Sequence, residues 1–131
     1  MDEELSNKIV IIDGDPDMQD DLGYELRMRG FQPIAVRRGE GAFDLVKEEK
    51  PHMVIMDVAL PDADGIEVLR EMGNHWDTKK TKFIVASTYP SRIDHTVVGL
   101  LAAIFRKPLD EWEFLRMLDV VSIEMLTKAD R

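Results

Sequence analysis

Short apolar runs, each stopped by a polar residue, alternate along this chain with segments of helical periodicity. That alternation restricts the fold more than any other feature. Lys8-Ile9-Val10-Ile11-Ile12 stops at Asp13, and Phe31 to Val36 forms a second run. Met53-Val54-Ile55-Met56 stops at Asp57, Phe83-Ile84-Val85-Ala86 at Ser87-Thr88, and Ala103 to Phe105 at Arg106-Lys107-Pro108. Brief β-branched or apolar runs bounded by turn residues read as strands buried on both faces.

The intervening segments read as helices. Met18, Leu22 and Leu26 recur at helical spacing, and Gly30 closes that segment as a C-cap. Gly23 within it costs about 1 kcal/mol relative to Ala. Gly41 to Glu49 is a short helix with Ala42, Leu45 and Val46 inward, ending before Pro51. Gly65 to Met72 carries Ile66, Val68 and Leu69, and a polar loop follows from Gly73 to Lys80. Further helices are expected around Ile93 to Leu101 and from about Asp110 to Thr127. Strands alternating with helices imply right-handed crossovers and a parallel sheet covered on both faces.

The chain has 131 residues, 44% apolar and 33% charged, and reads as one domain (1–131) whose core spans about 8–118, with the last helix extended to about 127. There is no cysteine, so neither a disulfide framework nor a thiolate metal site is available. No segment approaches the roughly 18 apolar residues of a membrane span. The acidic start, Met1-Asp2-Glu3-Glu4, does not resemble a signal peptide, and a cytoplasmic location is expected. A net charge of −9 argues against direct binding to nucleic acid or to anionic membrane. The basic run Lys79-Lys80-Thr81-Lys82 is short and reads as a solvated loop.

In a parallel sheet every strand points the same way, so Asp13, Asp57, Ser87 and Lys107 share one edge. Ligands of open α/β sheets bind in the crevice there. Two acids, a hydroxyl and a lysine suit phosphoryl transfer to a carboxylate. One Asp attacks phosphorus, its neighbour helps hold Mg²⁺ through oxygen, and lysine and hydroxyl receive the phosphoryl oxygens.

With Ile12-Asp13-Gly14-Asp15-Pro16, Asp57-Val58-Ala59-Leu60-Pro61-Asp62-Ala63-Asp64-Gly65, Ser87 and Lys107-Pro108 in this order, the chain resembles the receiver domain of two-component response regulators. The match runs from about Lys8 to Leu118. The resemblance implies a flavodoxin-like (βα)5 three-layer sandwich, a parallel five-stranded sheet of order 2-1-3-4-5. It implies a phosphoacceptor Asp57, a switch hydroxyl Ser87, a bridging Lys107 and a cis Lys107-Pro108 bond. Its metal ligands would be Asp13, Asp57 and the backbone carbonyl of Ala59, with Asp15 a further candidate. The implied partners are a histidine kinase or phosphotransfer protein, and an effector or a second copy docking through the fourth and fifth helices. Such a domain is a signalling module that promotes at most its own phosphorylation and dephosphorylation, and is not classed as an enzyme.

Two residues depart from the family's pattern. Gly14 stands where the second acid of an adjacent pair is usual, so Mg²⁺ binding should be weakened, because charge count sets affinity for hard cations. Ile104 stands where many receivers carry a mobile aromatic. Phe105, next to it, should face the other side of the strand. These departures keep a second reading open, a pseudo-receiver that binds partners without phosphorylation. A third reading is a haloacid-dehalogenase-like phosphatase opening on Asp13-Gly14-Asp15. Pro16 and the lack of an acidic pair after Lys107 argue against it.

Other motifs read as structural. Asp64-Gly65 opens the third helix as N-cap and turn. His52, His75 and His95 lack metal-ligand spacing. Gly39-Glu40-Gly41-Ala42-Phe43-Asp44 lacks the third glycine of a dinucleotide fingerprint. Thr88 is a lesser alternative to Ser87. Trp76 should pack against neighbouring helices. The last helix carries apolar residues on two stripes, Trp112, Leu115, Leu118 and Phe114, Met117, Val121, which fits either an interface or deep burial.

Overall fold

The computed structural model describes the backbone of residues 5–129 and side chains through residue 124. Met1 to Glu4, and the side chain of Leu126 at the far end of the final stripe, lie outside the described residues. The strands are β1 Lys8–Ile12, β2 Gln32–Val36, β3 Met53–Met56, β4 Lys82–Ser87 and β5 Leu101–Arg106. The helices are α1 Pro16–Met28, α2 Ala42–Glu49, α3 Gly65–Asn74, α4 His95–Val98 and α5 Glu111–Ala129, with a single 3-10 turn at Pro90–Arg92. All strand pairs are parallel and the order is β2-β1-β3-β4-β5, the doubly wound flavodoxin-like arrangement.

Strand periodicity builds the two cores. Ile9 and Ile11 point to one face with Ile55 and Ile84, under Leu22 and Leu26 of α1 and Phe114 and Leu118 of α5. Val10 and Ile12 point to the other face with Val54, Met56 and Val85, under Val46 of α2, Leu69 of α3 and Val97 of α4. Because both faces are covered, β1 and β3 are apolar at almost every position, as the sequence shows.

Helix ends follow local chemistry. Gly30 adopts φ +85, the left-handed conformation expected of a residue that closes a helix. Asp64 caps α3 by accepting from the Ile66 amide at 3.0 Å. At Gly65 a Cβ would stand 2.4 Å from Val58 Cα, so only glycine lets α3 start this close to the strand it follows.

The fourth helix departs from expectation. Periodicity suggests a helix over Ile93 to Leu101, but only His95–Val98 is α-helical. Thr96, Val97 and Val98 are β-branched and poor helix formers, Gly99 ends the turn, and Leu101 pairs with Phe83 in the sheet instead. Consequently β5 runs over six residues rather than the three expected. The polar loop also starts later, since α3 continues to Asn74. Trp76 is 74% exposed, not packed between helices, and its ring stacks on His75.

In α5 the two expected stripes do not separate cleanly. Phe114, Leu118 and Val121 are buried and Leu115 and Met117 half-buried, while Trp112, Val120 and Ile123 face outward. Among the described residues no helix is long and apolar enough to cross a membrane.

Candidate functional site

The register sets Ile12 beside Met56, so the next residues, Asp13 and Asp57, emerge side by side at the carboxyl edge of the sheet. Their backbones still follow the ladder. The Asp13 amide donates to Val36 O at 3.0 Å and the Asp57 amide to Ile12 O at 2.9 Å. β5 delivers Lys107 from the other side, with its amide on Ser87 O at 2.9 Å. The Lys107-Pro108 peptide is cis, as the family resemblance implied.

The lysine ammonium closes the site. Lys107 Nζ lies 2.7 Å from Asp13 Oδ2 and 2.9 Å from Asp57 Oδ2, so one cation bridges two carboxylates carried by different strands. The remaining oxygens are also engaged. Asp13 Oδ1 accepts from the Asp15 amide and Asp57 Oδ1 from the Ala59 amide, both at 2.9 Å. All four carboxylate oxygens therefore hold donors, and the three side chains together keep one net negative charge.

Burial decides the electrostatics. Desolvation pushes the Asp13 carboxyl above its ordinary range, against the opposing hydrogen bonds from Lys107 and the Asp15 amide. Burial alone would lower the Lys107 ammonium, but its hydrogen bonds to Asp13 and Asp57 outweigh that and raise it. The lysine is therefore charged throughout the physiological range.

The remaining candidates separate. Asp15 does not face Asp57. Its Oδ1 caps α1, accepting from the Asp17 amide at 3.0 Å and the Met18 amide at 3.5 Å. That geometry also leaves the phosphatase reading without its second acid. Ser87 is buried at the end of β4, where its Oγ accepts from the Tyr89 amide at 3.1 Å. Among the described residues it makes no hydrogen bond to Asp57. Ile104 is 40% exposed on the outer side of β5, while Phe105 turns inward and meets Phe114 edge-on at 5.0 Å, the opposite facing expected of neighbours on a strand.

The donor set suits a hard cation in kind. Asp13, Asp57 and nearby backbone carbonyls offer oxygen, as Mg²⁺ requires. Gly14 adds no ligand, and among the described residues no group of three or more acids, histidines or cysteines could hold a metal.

Two supporting residues have no role assigned from the sequence, although Asp62 lies within the motif that follows Asp57. Gln19 Nε2 donates to Asp13 O and Val36 O, both at 2.8 Å, and so ties α1 to the ends of two strands. Asp62 accepts from the Gly39 amide at 2.8 Å and the Glu40 amide at 2.9 Å, strapping the loop after Asp57 to the loop after β2. Each partner lies on a different strand end or loop, so no local pattern marks either residue.

Known structures share this fold. A CheY-like response regulator receiver domain from Methylobacillus flagellatus is 21% identical, with 90% of this chain and 99% of that chain covered and a TM-score of 0.76. The receiver domain of a sensor histidine kinase from Pseudomonas aeruginosa PAO1, with magnesium coordinated in its active-site cleft, is 20% identical, covers 88% and 96%, and scores 0.74. A response regulator from Thermotoga maritima in complex with Mg²⁺-BeF is 21% identical, covers 87% and 97%, and scores 0.75. At these identities the likeness concerns the fold. The family model for the response regulator receiver domain matches residues 9–119, a span that contains Asp13, Asp57, Ser87 and Lys107, and the chain therefore belongs to that family of two-component signalling domains.

Proposed function

We propose that this receiver takes a phosphoryl group onto Asp57 from a histidine kinase or phosphotransfer protein and relays the change to a partner. The observation that supports it most directly is Lys107 Nζ held between Asp13 and Asp57 at the open edge of the sheet. In the transfer an Asp57 carboxylate oxygen attacks the phosphorus of a phosphohistidine. The new O–P bond forms as the P–N bond breaks, and the bond pair leaves with the imidazole nitrogen. Lys107 offsets the charge gathering on the phosphoryl oxygens, and needs no reorganisation because it already sits on the acceptor. Asp13 holds the ammonium in that position. The Ser87 hydroxyl, whose oxygen accepts from the Tyr89 amide, keeps its own proton to donate to a phosphoryl oxygen.

Asp13, Asp57 and the Ala59 carbonyl would hold Mg²⁺, with Gly14 and the helix-capping Asp15 supplying nothing. Bound there, the ion screens the incoming phosphoryl group from the carboxylates. With two carboxylates instead of three, half-saturation is expected at or above about 1 mM.

Output is assigned to the face of α4, β5 and α5. There Val98, Ile104, Trp112, Val120 and Ile123 are exposed, and an effector or a second copy can dock. The domain acts as a phosphoacceptor rather than as an enzyme turning over an external substrate. Gly14 and Ile104 support a second reading, a module that binds its partner without phosphorylation.

Incubation with Mg²⁺ and acetyl phosphate followed by intact mass measurement tests the proposal. One added phosphoryl group is expected on the native chain and none on Asp57→Asn. An unlabelled native chain that shows no Mg²⁺ binding at tens of millimolar would favour the second reading. Labelling that persists in Asp57→Asn would overturn the assignment of the acceptor.

A further inference from the structure

Every polar atom of Asp13 holds a partner. Its amide donates to Val36 O at 3.0 Å. Oδ1 accepts from the Asp15 amide at 2.9 Å and Oδ2 from Lys107 Nζ at 2.7 Å. The carbonyl oxygen accepts from Gln19 Nε2 at 2.8 Å. The first three partners belong to the sheet, to the loop itself and to the counter-charge. The last is a neutral, half-buried side chain from the first turns of α1, a residue with no part in the chemistry proposed above.

The bond from Gln19 falls where the loop is least constrained. Gly14 follows Asp13, exposed and outside the left-handed region. A Cβ there would meet only Pro61 Cδ at 3.6 Å and Arg37 O at 3.9 Å, so neither crowding nor a positive φ calls for glycine. Without a Cβ, glycine reaches φ values on both sides of zero with similar ease, and the peptide plane joining Asp13 to Gly14 turns at little cost. Turning it draws the Asp13 carbonyl off Gln19 and displaces the Asp15 amide from Oδ1. Gln19 opposes that turn with both N–H bonds of its amide, one on Asp13 O and the other on Val36 O, each at 2.8 Å. Val36 ends β2, so the loop is braced against the neighbouring strand. A lysine or arginine at position 19 would bring a second cation to Asp13, in competition with Lys107. The amide donates twice and carries no charge.

We infer that Gln19 is a positioning residue: it fixes the Asp13–Gly14 peptide, and thereby the carboxylate that holds Lys107 beside Asp57. Its effect reaches Asp57, and a Mg²⁺ ion bound there, through Asp13. Groups that orient a ligand in this way are commonly worth about 10–100-fold in affinity or activity. The consequence for phosphoryl transfer rests on the receiver reading above; the bracing of the loop does not.

Gln19→Met keeps the length of the side chain without its donors, and Gln19→Glu sets a carboxylate against two carbonyl oxygens. Thr81→Val is the control, since it removes a buried bond of the same kind, Thr81 Oγ1 to Pro51 O at 2.9 Å, at the opposite end of the sheet. An amide proton bonded to a carboxylate resonates downfield. In both Gln19 variants the Asp15 amide proton is expected to move upfield, while that of Ala59, held by Asp57, stays in place. Acetyl phosphate labelling should slow about tenfold or more, and the Mg²⁺ concentration for half-saturation should rise in step. Thr81→Val should change none of these. Gly14→Ala, nearly silent in the native chain, should restore part of the labelling rate in Gln19→Met, because a Cβ narrows the turn that Gln19 otherwise prevents. A native Asp15 signal in the Gln19 variants overturns the proposal, as does a loss of the same size in Thr81→Val. In the native chain the Gln19 side-chain amide protons should exchange slowly with solvent. Exchange at the rate of a free glutamine amide overturns the proposal even if no variant folds. A native chain that takes no label removes the receiver reading, and the Asp15 and Ala59 signals still decide the brace.

Discussion

β1 and β5 run parallel in the same sheet, and each leads directly into a charged residue of the site, yet they are packed very differently. β1 is buried from Ile9 to Ile12, with α1 and α5 on one side and α2 and α3 on the other. β5 lies at the sheet edge and alternates between half-buried and exposed positions, because the four-residue α4 leaves Ala102, Ile104 and Arg106 uncovered. The site is therefore assembled from two kinds of support. Asp13, Asp57 and Ser87 stand on strands held from both faces, whereas Lys107 follows a lightly covered edge strand. Moving the lysine disturbs fewer packed side chains, and segments with few buried apolar contacts open at lower free energy. The carboxylates are fixed by the centre of the sheet, and their counter-charge comes from its edge.

Paired substitutions can break this comparison. The largest difference is expected between Ile55→Ala in β3 and Ile104→Ala in β5. Ile55 is almost fully buried and its truncation should cost about 2–5 kcal/mol, whereas the 40%-exposed Ile104 should cost about 1 kcal/mol or less. Urea denaturation measures both, and equal losses would show that the edge is as tightly packed as the centre.

A smaller contrast separates two glycines. A methyl group at Gly65 would press into the Val58 backbone at 2.4–2.8 Å, so Gly65→Ala should cost about 1–3 kcal/mol or displace α3. Gly99, at φ −69 and with nothing within 4 Å of where a Cβ would stand, accepts alanine freely. Gly99→Ala should stabilise by about 0.4–1 kcal/mol through the unfolded chain. Thermal melts of the two variants should move in opposite directions.

The smallest effect is on pH dependence, and its sign differs between the halves. Buried Asp13 has a folded pKa above 3.8, so its contribution to stability is present below that value and is lost as pH rises through the folded pKa. Asp94, the exposed N-cap of α4, is lowered by its hydrogen bonds to the Thr96 hydroxyl and amide. Its contribution is present above 3.8 and is lost as pH falls through the folded pKa. Carboxyl NMR titration should place Asp13 above and Asp94 below 3.8. The reverse order would mean that the central pair is better solvated than its burial indicates.

Legibility in the sequence follows the same division. β1 and β3 are legible to the residue, since strands covered on both faces must be apolar throughout and their ends are marked by Asp13 and Asp57. The order of the sheet follows from the family resemblance and agrees with the structure. The boundary between α4 and β5 is not legible, because Ile93, Val97, Val98, Leu100 and Leu101 suit either a helix or a strand in composition. Pairing of Leu101 with Phe83 decides between them, and that contact spans 18 residues of sequence. In the sequence Asp15 is a further candidate metal ligand, and its role as the cap of α1 shows only when the α1 amides claim it.

By itself the sequence determined the alternation of strands and helices, the burial of the central strands, and the presence of two acids, a hydroxyl and a lysine at one sheet edge. Those properties depend on periodicity and on the parallel direction of the strands, which local residue order encodes. Only the tertiary structure decided that Lys107 bridges Asp13 and Asp57, and that Gln19 and Asp62 tie the surrounding loops. Each of these joins groups far apart in the chain, and hydrogen bonds and fields act over distances in space that residue order does not record.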